Sequence, residues 1–96
     1  MPDELNKKTG HVLRLYITGA SQNSAKAISN IKQICDTHLK DDYQLEIIDV
    51  YQEPAIAKTE QIVALPLLIR LSPLPVKRLV GNMSDKDKVL KGLELT

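Results

Sequence analysis

Residues 67–82 read LLIRLSPLPVKRLVGN, two short β-prone runs separated by Ser72-Pro73-Leu74-Pro75. Serine and proline between apolar runs mark a turn, so the stretch predicts a hairpin of two antiparallel strands. What precedes it has a different organisation. Residues 11–18, HVLRLYIT, put Leu13, Leu15 and Ile17 on one face of a strand and Val12, Arg14 and Tyr16 on the other. Gly19 and the polar residues 20–24 break that strand. Ala27, Ile28, Ile31, Ile34, Cys35 and Leu39 then recur at three- and four-residue spacing, the pattern of an amphipathic helix. Ser21 or Asn23 can cap its start, and Asp41-Asp42 supplies the turn after its end. Residues 43–50, YQLEIIDV, form the next strand, with Tyr43, Leu45 and Ile47 opposed to Gln44, Glu46 and Ile48. Strand, helix and strand in that order imply a parallel pair with a right-handed crossover.

Pro54 at a first helical turn, followed by Ile56, Ala57, Glu60, Ile62 and Val63, predicts a short helix ending near Leu65, because Pro66 pushes its predecessor to extended geometry. Beyond the hairpin, Ser84 stands as the cap before DKDKVLKGLEL. Asp85 and Asp87 fall in the first turn and Lys91 late, which suits the helix dipole. Val89, Leu90 and Leu93 form its apolar stripe. The expected fold is α/β with the order βαβαββα, one domain over residues 11–96 behind a polar leader, residues 1–10. Local preference is weak in the second half. Gly92 inside the last helix costs about 1 kcal/mol relative to alanine, and residues 65–71 carry enough leucine to be helical. Two packings of these residues can therefore lie within a few kcal/mol of each other.

The chain has 96 residues, enough for one domain. Thirteen basic and twelve acidic residues leave a formal charge of +1, which argues against nucleic acid as the main partner, and there is no Trp or Phe to stack on bases. The longest apolar run stops at Arg70, far short of the ~20 residues that span a bilayer. A single cysteine, Cys35, permits no internal disulfide and, with no apolar leader, points to the cytoplasm.

The element order invites comparison with thioredoxin-like folds, whose redox members carry two cysteines between the first strand and helix. Here that loop, residues 19–24, reads GASQNS, so thiol exchange has no second sulfur. Cys35, Asp36 and His38 offer too few ligands for a metal. Ser21 and Ser24 lack a local base and orienting acid, and the glycines form no phosphate-binding loop. The expectation is a binding protein without cofactor or metal, not an enzyme. Between Gln61 and Ser84 stand Arg70, Lys77 and Arg78 and no acidic residue. The plain account is a strand edge guarded by charge and proline; the functional one is a basic patch facing an acidic protein partner.

Taken together, Leu13-Arg14-Leu15-Tyr16-Ile17-Thr18-Gly19, Asn23-Ser24, Ile47-Ile48-Asp49-Val50, Leu65-Pro66, Pro73-Leu74-Pro75-Val76-Lys77-Arg78 and Gly81-Asn82-Met83-Ser84-Asp85 resemble the KaiB family of the cyanobacterial clock, collinearly from about residue 12 to 95. The resemblance implies a metamorphic protein with two folds: a tetrameric ground state of order βαββααβ, and a monomer with the thioredoxin-like order βαβαββα. It implies that the monomer binds the first ATPase ring of hexameric KaiC, then sequesters KaiA and displaces a KaiB-like sensor kinase. A tetramer or dimer is the expected resting form. Gly92 and Glu94 match family positions that bias the two folds, and Pro66, Pro73 and Pro75 match prolines in the segment that refolds. Lys26, Arg70, Lys77 and Arg78 match basic positions near the KaiC-binding surface, whereas Glu46 and Gln61 stand where lysines are usual. Two roles follow from the resemblance: a KaiC-binding regulator in timing or a clock-derived stress response, or a KaiB-fold module acting on another signalling partner.

Overall fold

The alternating apolar residues of β1 (His11–Ile17) place it in the middle of a four-stranded sheet of order β2-β1-β3-β4. The computed structural model describes residues 10–40, 42–59 and 64–95. The element order is β1, α1 (Gln22–His38), β2 (Tyr43–Asp49), α2 (Pro54–Thr59), β3 (Leu67–Ser72), β4 (Lys77–Val80) and α3 (Lys86–Gly92), which is the expected βαβαββα. β1 runs parallel to β2 and antiparallel to β3, and β3 and β4 form the antiparallel hairpin. Expectations that rested on residues 1–9, Asp41, Glu60, Gln61, Ile62 and Val63 lie outside the described residues.

Side-chain alternation along β1 divides the interior in two. Leu13, Leu15 and Ile17, with Leu68 of β3, face Ala27, Ile31, Ile34 and Cys35 of α1 and Val89 and Leu90 of α3. Tyr16 points the other way, into a smaller cluster of Ile48, Val50, Leu67 and Ile69 against which Ile56 of α2 packs. Helices thus cover both faces, the first much more fully. Cys35 is free and fully buried, and desolvation, with the neighbouring Asp36 charge adding, pushes its thiol up to about 12. Such a thiol carries almost no thiolate at neutral pH, so it packs as a small hydrophobe. No helix among the described residues is long and apolar enough to cross a membrane.

Local chemistry explains the helix ends. Of the two candidate caps for α1, Ser21 is the one used: its side chain accepts from the Ser24 N–H at 3.1 Å. The cap of α3 is Asp85, which accepts from the Lys88 N–H at 3.2 Å, and not the expected Ser84. Ser84 is engaged in the preceding turn, where Met83 has φ 63° and the Ser84 N–H donates to Asn82 Oδ1 at 3.1 Å. At its other end α3 closes with a Schellman motif: the Leu95 N–H donates to the Leu90 carbonyl at 2.8 Å and the Glu94 N–H to that of Lys91 at 3.1 Å. Glu94, at φ 60°, occupies the left-handed position that such motifs usually give to glycine.

Leu15 and Ile31 are fully buried on the better covered face. Truncating either to alanine removes packed methyl groups and is expected to lower stability by about 2–5 kcal/mol. Leu74→Ser, at an exposed turn position, is expected to stay within about 0.5 kcal/mol of the parent, and urea titration of all three variants checks both expectations.

Candidate functional site

Leu68 and Arg70 alternate on β3, so Arg70 faces the side that α1 and α3 cover, and its side chain is 1% exposed. A buried guanidinium is tolerated only with acceptors placed around its fork. Arg70 has three: Nη1 donates to the Leu93 carbonyl at 2.8 Å, and Nη2 to the Pro75 carbonyl and to Glu94 Oε1, each at 2.8 Å. Its Nε is buried without a hydrogen-bond partner. The Leu93 carbonyl belongs to the C-terminal end of α3, where the helix dipole favours a cation. Lys77, the β-sheet partner of Arg70, brings its ammonium to 3.8 Å from Glu94 Oε2. The Arg70 hydrogen bond first, and Lys77 next, hold the Glu94 carboxyl below the usual glutamate value.

This arrangement corrects one expectation. Arg70 was grouped with Lys77 and Arg78 as surface charge, but its guanidinium lies inside and is engaged within the chain. A single clamp therefore collects Arg70, Lys77, Pro75 and Glu94, with Gly92 beside it. A Cβ on Gly92 would overlap the Leu79 side chain of β4, so close approach of α3 to the hairpin explains this glycine. Gly92 is also the last residue of α3 rather than an interior one.

The remaining candidates lie apart from the clamp. Lys26 is exposed on α1, and Arg78 is exposed on the opposite side of β4 from Lys77. Pro66 is buried and its carbonyl accepts from the Gly81 N–H at 2.9 Å, while Pro73 and Pro75 sit exposed in the hairpin turn. Glu46 pairs with Arg14, its direct neighbour across the parallel strands, at 2.9 Å. Gln61 lies outside the described residues. Among the described residues no group of three His, Cys, Asp or Glu side chains is placed to hold a metal. Two hollows beside the 81–85 loop, about 180 Å³ each, are smaller than ordinary small-molecule sites.

The acceptors of Arg70 escaped sequence reading because two are backbone carbonyls. The Arg14–Glu46 pair was within reach: both stand on the same face at corresponding places of two strands judged parallel.

Arg70→Ala leaves carbonyls without their donor and opens a cavity, and is expected to cost about 3 kcal/mol in chemical denaturation. Arg70→Lys keeps the charge but not the fork and should recover only part of that loss. The depressed Glu94 carboxyl stabilises the fold above the unfolded glutamate pKa, roughly 4.3, and that contribution disappears as the pH falls through the lower folded value. Glu94→Gln is therefore expected to be less stable than the parent at neutral pH, the gap closing as an acid titration by circular dichroism passes below that range.

Comparison with known proteins agrees with this geometry. Residues 14–95 match the KaiB domain profile. The chain is 50% identical over 84 residues to the circadian clock protein KaiB3 of Synechocystis, covering 88% of this chain and 82% of that protein. The N-terminal domain of Synechococcus elongatus SasA superposes with a TM-score of 0.71 at 18% identity, over 92% of this chain and 87% of that one. Mitochondrial thioredoxin 3 of Saccharomyces cerevisiae superposes at 0.70 with 15% identity, over 95% and 83%. At those identities the two structures speak for the fold, which is thioredoxin-like. The chain belongs to the KaiB family of circadian clock proteins, a family of regulators and not of enzymes.

Proposed function

We propose that this chain is a cytoplasmic regulator that binds a KaiC-type hexameric ATPase as a monomer in the thioredoxin-like fold, in circadian timing or a clock-derived stress response. The observation that carries the reading is the family match over residues 14–95 in a chain that has the thioredoxin-like order. The same residues pack at rest as a tetramer of order βαββααβ, so apparent affinity for the ATPase is reduced by the fraction of competent monomer. Glu94 and Gly92 set that fraction: the first is anchored by Arg70 in the competent fold, and the second leaves room for Leu79. Pro66, Pro73 and Pro75 flank the strand that changes place.

Lys26, Lys77 and Arg78 supply the positive contact surface, and Arg70 supports it from inside. Glu46, where family members usually carry lysine, is neutralised within the chain by Arg14, which supports retention of binding. The fold shared with the SasA N-terminal domain supports competition of the two for one docking surface and, with it, displacement of a sensor kinase. KaiA is captured by the complex once formed.

The test is prolonged incubation with the KaiC-type hexamer of the same genome and ATP, followed by native mass spectrometry. The expected species is a hexamer carrying added masses of 10.7 kDa each, with Lys26→Glu lowering occupancy by about tenfold. A bare hexamer beside unchanged chain would overturn KaiC binding and leave the second role, docking on another signalling partner.

A further inference from the structure

Met83 carries a buried side chain on a left-handed backbone. It lies in the loop that joins β4 to α3, 5% exposed, in the cluster that also holds Ile34 of α1 and Val89 of α3. Its φ of 63° is one that a bulky side chain adopts only at a cost. Hydrogen bonds hold the residues around it. The Gly81 N–H donates to the Pro66 carbonyl, Asn30 Nδ2 donates to the Asn82 carbonyl at 2.9 Å, and Asp85 caps α3. Met83 itself takes part in no hydrogen bond among the described residues. Burial of its side chain is therefore what holds the turn at this residue.

The two hollows beside the loop both reach this residue. One lies between β4 and α3, beside Leu79 and Val89, and the other between α1 and the loop, beside Asn30 and Ile34; Met83 and Ser84 line both. Each is about 180 Å³ and open to solvent, where a single water needs only about 15 Å³. Hydrogen peroxide is hardly larger than water and fits either hollow. The Met83 thioether is thus shielded from bulk solvent yet within reach of a small polar oxidant. Cys35 is fully buried and lines neither hollow, so the thioether, not the thiol, is the accessible sulfur of the fold.

We infer that Met83 is an oxidation site whose sulfoxide releases the 81–85 loop from the core. A sulfur lone pair attacks one oxygen of hydrogen peroxide and the O–O bond breaks. The departing hydroxide takes the proton of the transferred oxygen and leaves as water, so sulfur is oxidised by two electrons and the peroxide is reduced. The sulfoxide oxygen is a strong acceptor, and the side chains of Ile34, Leu79 and Val89 offer it no donor. It reaches water by turning out into a hollow, which withdraws the side chain that held the left-handed turn. Asp85, the cap of α3, follows two residues later, and Val89 and Leu79 belong to the same cluster. Oxidation therefore loosens α3 and the hairpin together. The inference concerns the thioredoxin-like monomer and does not rest on KaiC binding.

The test exposes the full chain to hydrogen peroxide, at a dilution where size exclusion shows monomer, with N-acetylmethionine in the same tube as reference. Peptide mass spectrometry follows the gain of one oxygen at Met83. Its rate is expected within about a hundredfold of the reference, whereas access through global unfolding alone slows it roughly a thousandfold or more. The oxidised chain should have a folding constant lower by about tenfold to a hundredfold in urea titration, and faster amide exchange over residues 81–92. Met83→Leu keeps an apolar side chain of similar volume and should unfold at the same urea concentration before and after peroxide. Met83→Gln, polar without any oxidant, should be less stable than the parent. Slower oxidation than the hundredfold limit, an oxidised parent or Met83→Gln chain as stable as the untreated parent, or a Met83→Leu chain that peroxide still weakens would overturn the assignment.

Discussion

The buried guanidinium of Arg70 is the constraint on which the second half of the molecule depends. A charge taken out of water into the face between sheet and helices has to be met by acceptors, and all of them come from later in the chain: the Pro75 carbonyl in the hairpin turn, the Leu93 carbonyl at the end of α3, and the Glu94 carboxylate. Satisfying Arg70 therefore fixes where the hairpin turns and where α3 stops. α3 has seven residues, too few to persist alone in water. Its position is tertiary in origin, set by the clamp, by the burial of Val89 and Leu90, and by the contact of Gly92 with Leu79.

The first half is built differently. β1, α1 and β2 are long, periodic and capped as their residues dictate, and the crossover that joins them buries Leu13, Leu15, Ala27 and Ile31 in one continuous cluster. This half serves as the platform, and the hairpin with α3 is added to its β1 edge through β3. The covering of the sheet is unequal as well. α2 has six residues and contributes Ile56 to a small cluster, so the row of Glu46, Arg14, Ile69 and Arg78 remains polar at three of its four positions.

How far the sequence discloses this follows from the same physics. The βαβ half was legible because one face of each strand and one stripe of α1 are apolar, and alternation or helical spacing reports that directly. The hairpin was legible through Ser72-Pro73-Leu74-Pro75. The burial of Arg70 was not, because Leu67, Leu68, Ile69 and Arg70 are all buried in β3. A strand covered on both faces has no alternation to say which way a charge points. The clamp's acceptors stand five, 23 and 24 residues away, and two of them are main-chain atoms that exist at every position. The cap of α3 was misplaced by one residue for a local reason: Ser84 and Asp85 are both good caps, and the choice falls to a turn through Met83 that residue type does not announce.

Glu94 shows how local preference and tertiary contact can oppose each other at one residue. On backbone grounds its left-handed conformation belongs to glycine, and the glycine nearby, Gly92, stands where the conformation does not require one. The side chains reverse that logic. At 94 a carboxylate is wanted for Arg70 and Lys77, and at 92 any Cβ would meet Leu79. The end of α3 is thus held against its local preferences by contacts that exist only when hairpin and helix are packed together. Modest changes at 92 or 94 therefore act through the packing of hairpin against helix as much as through backbone preference, because the same two positions carry both.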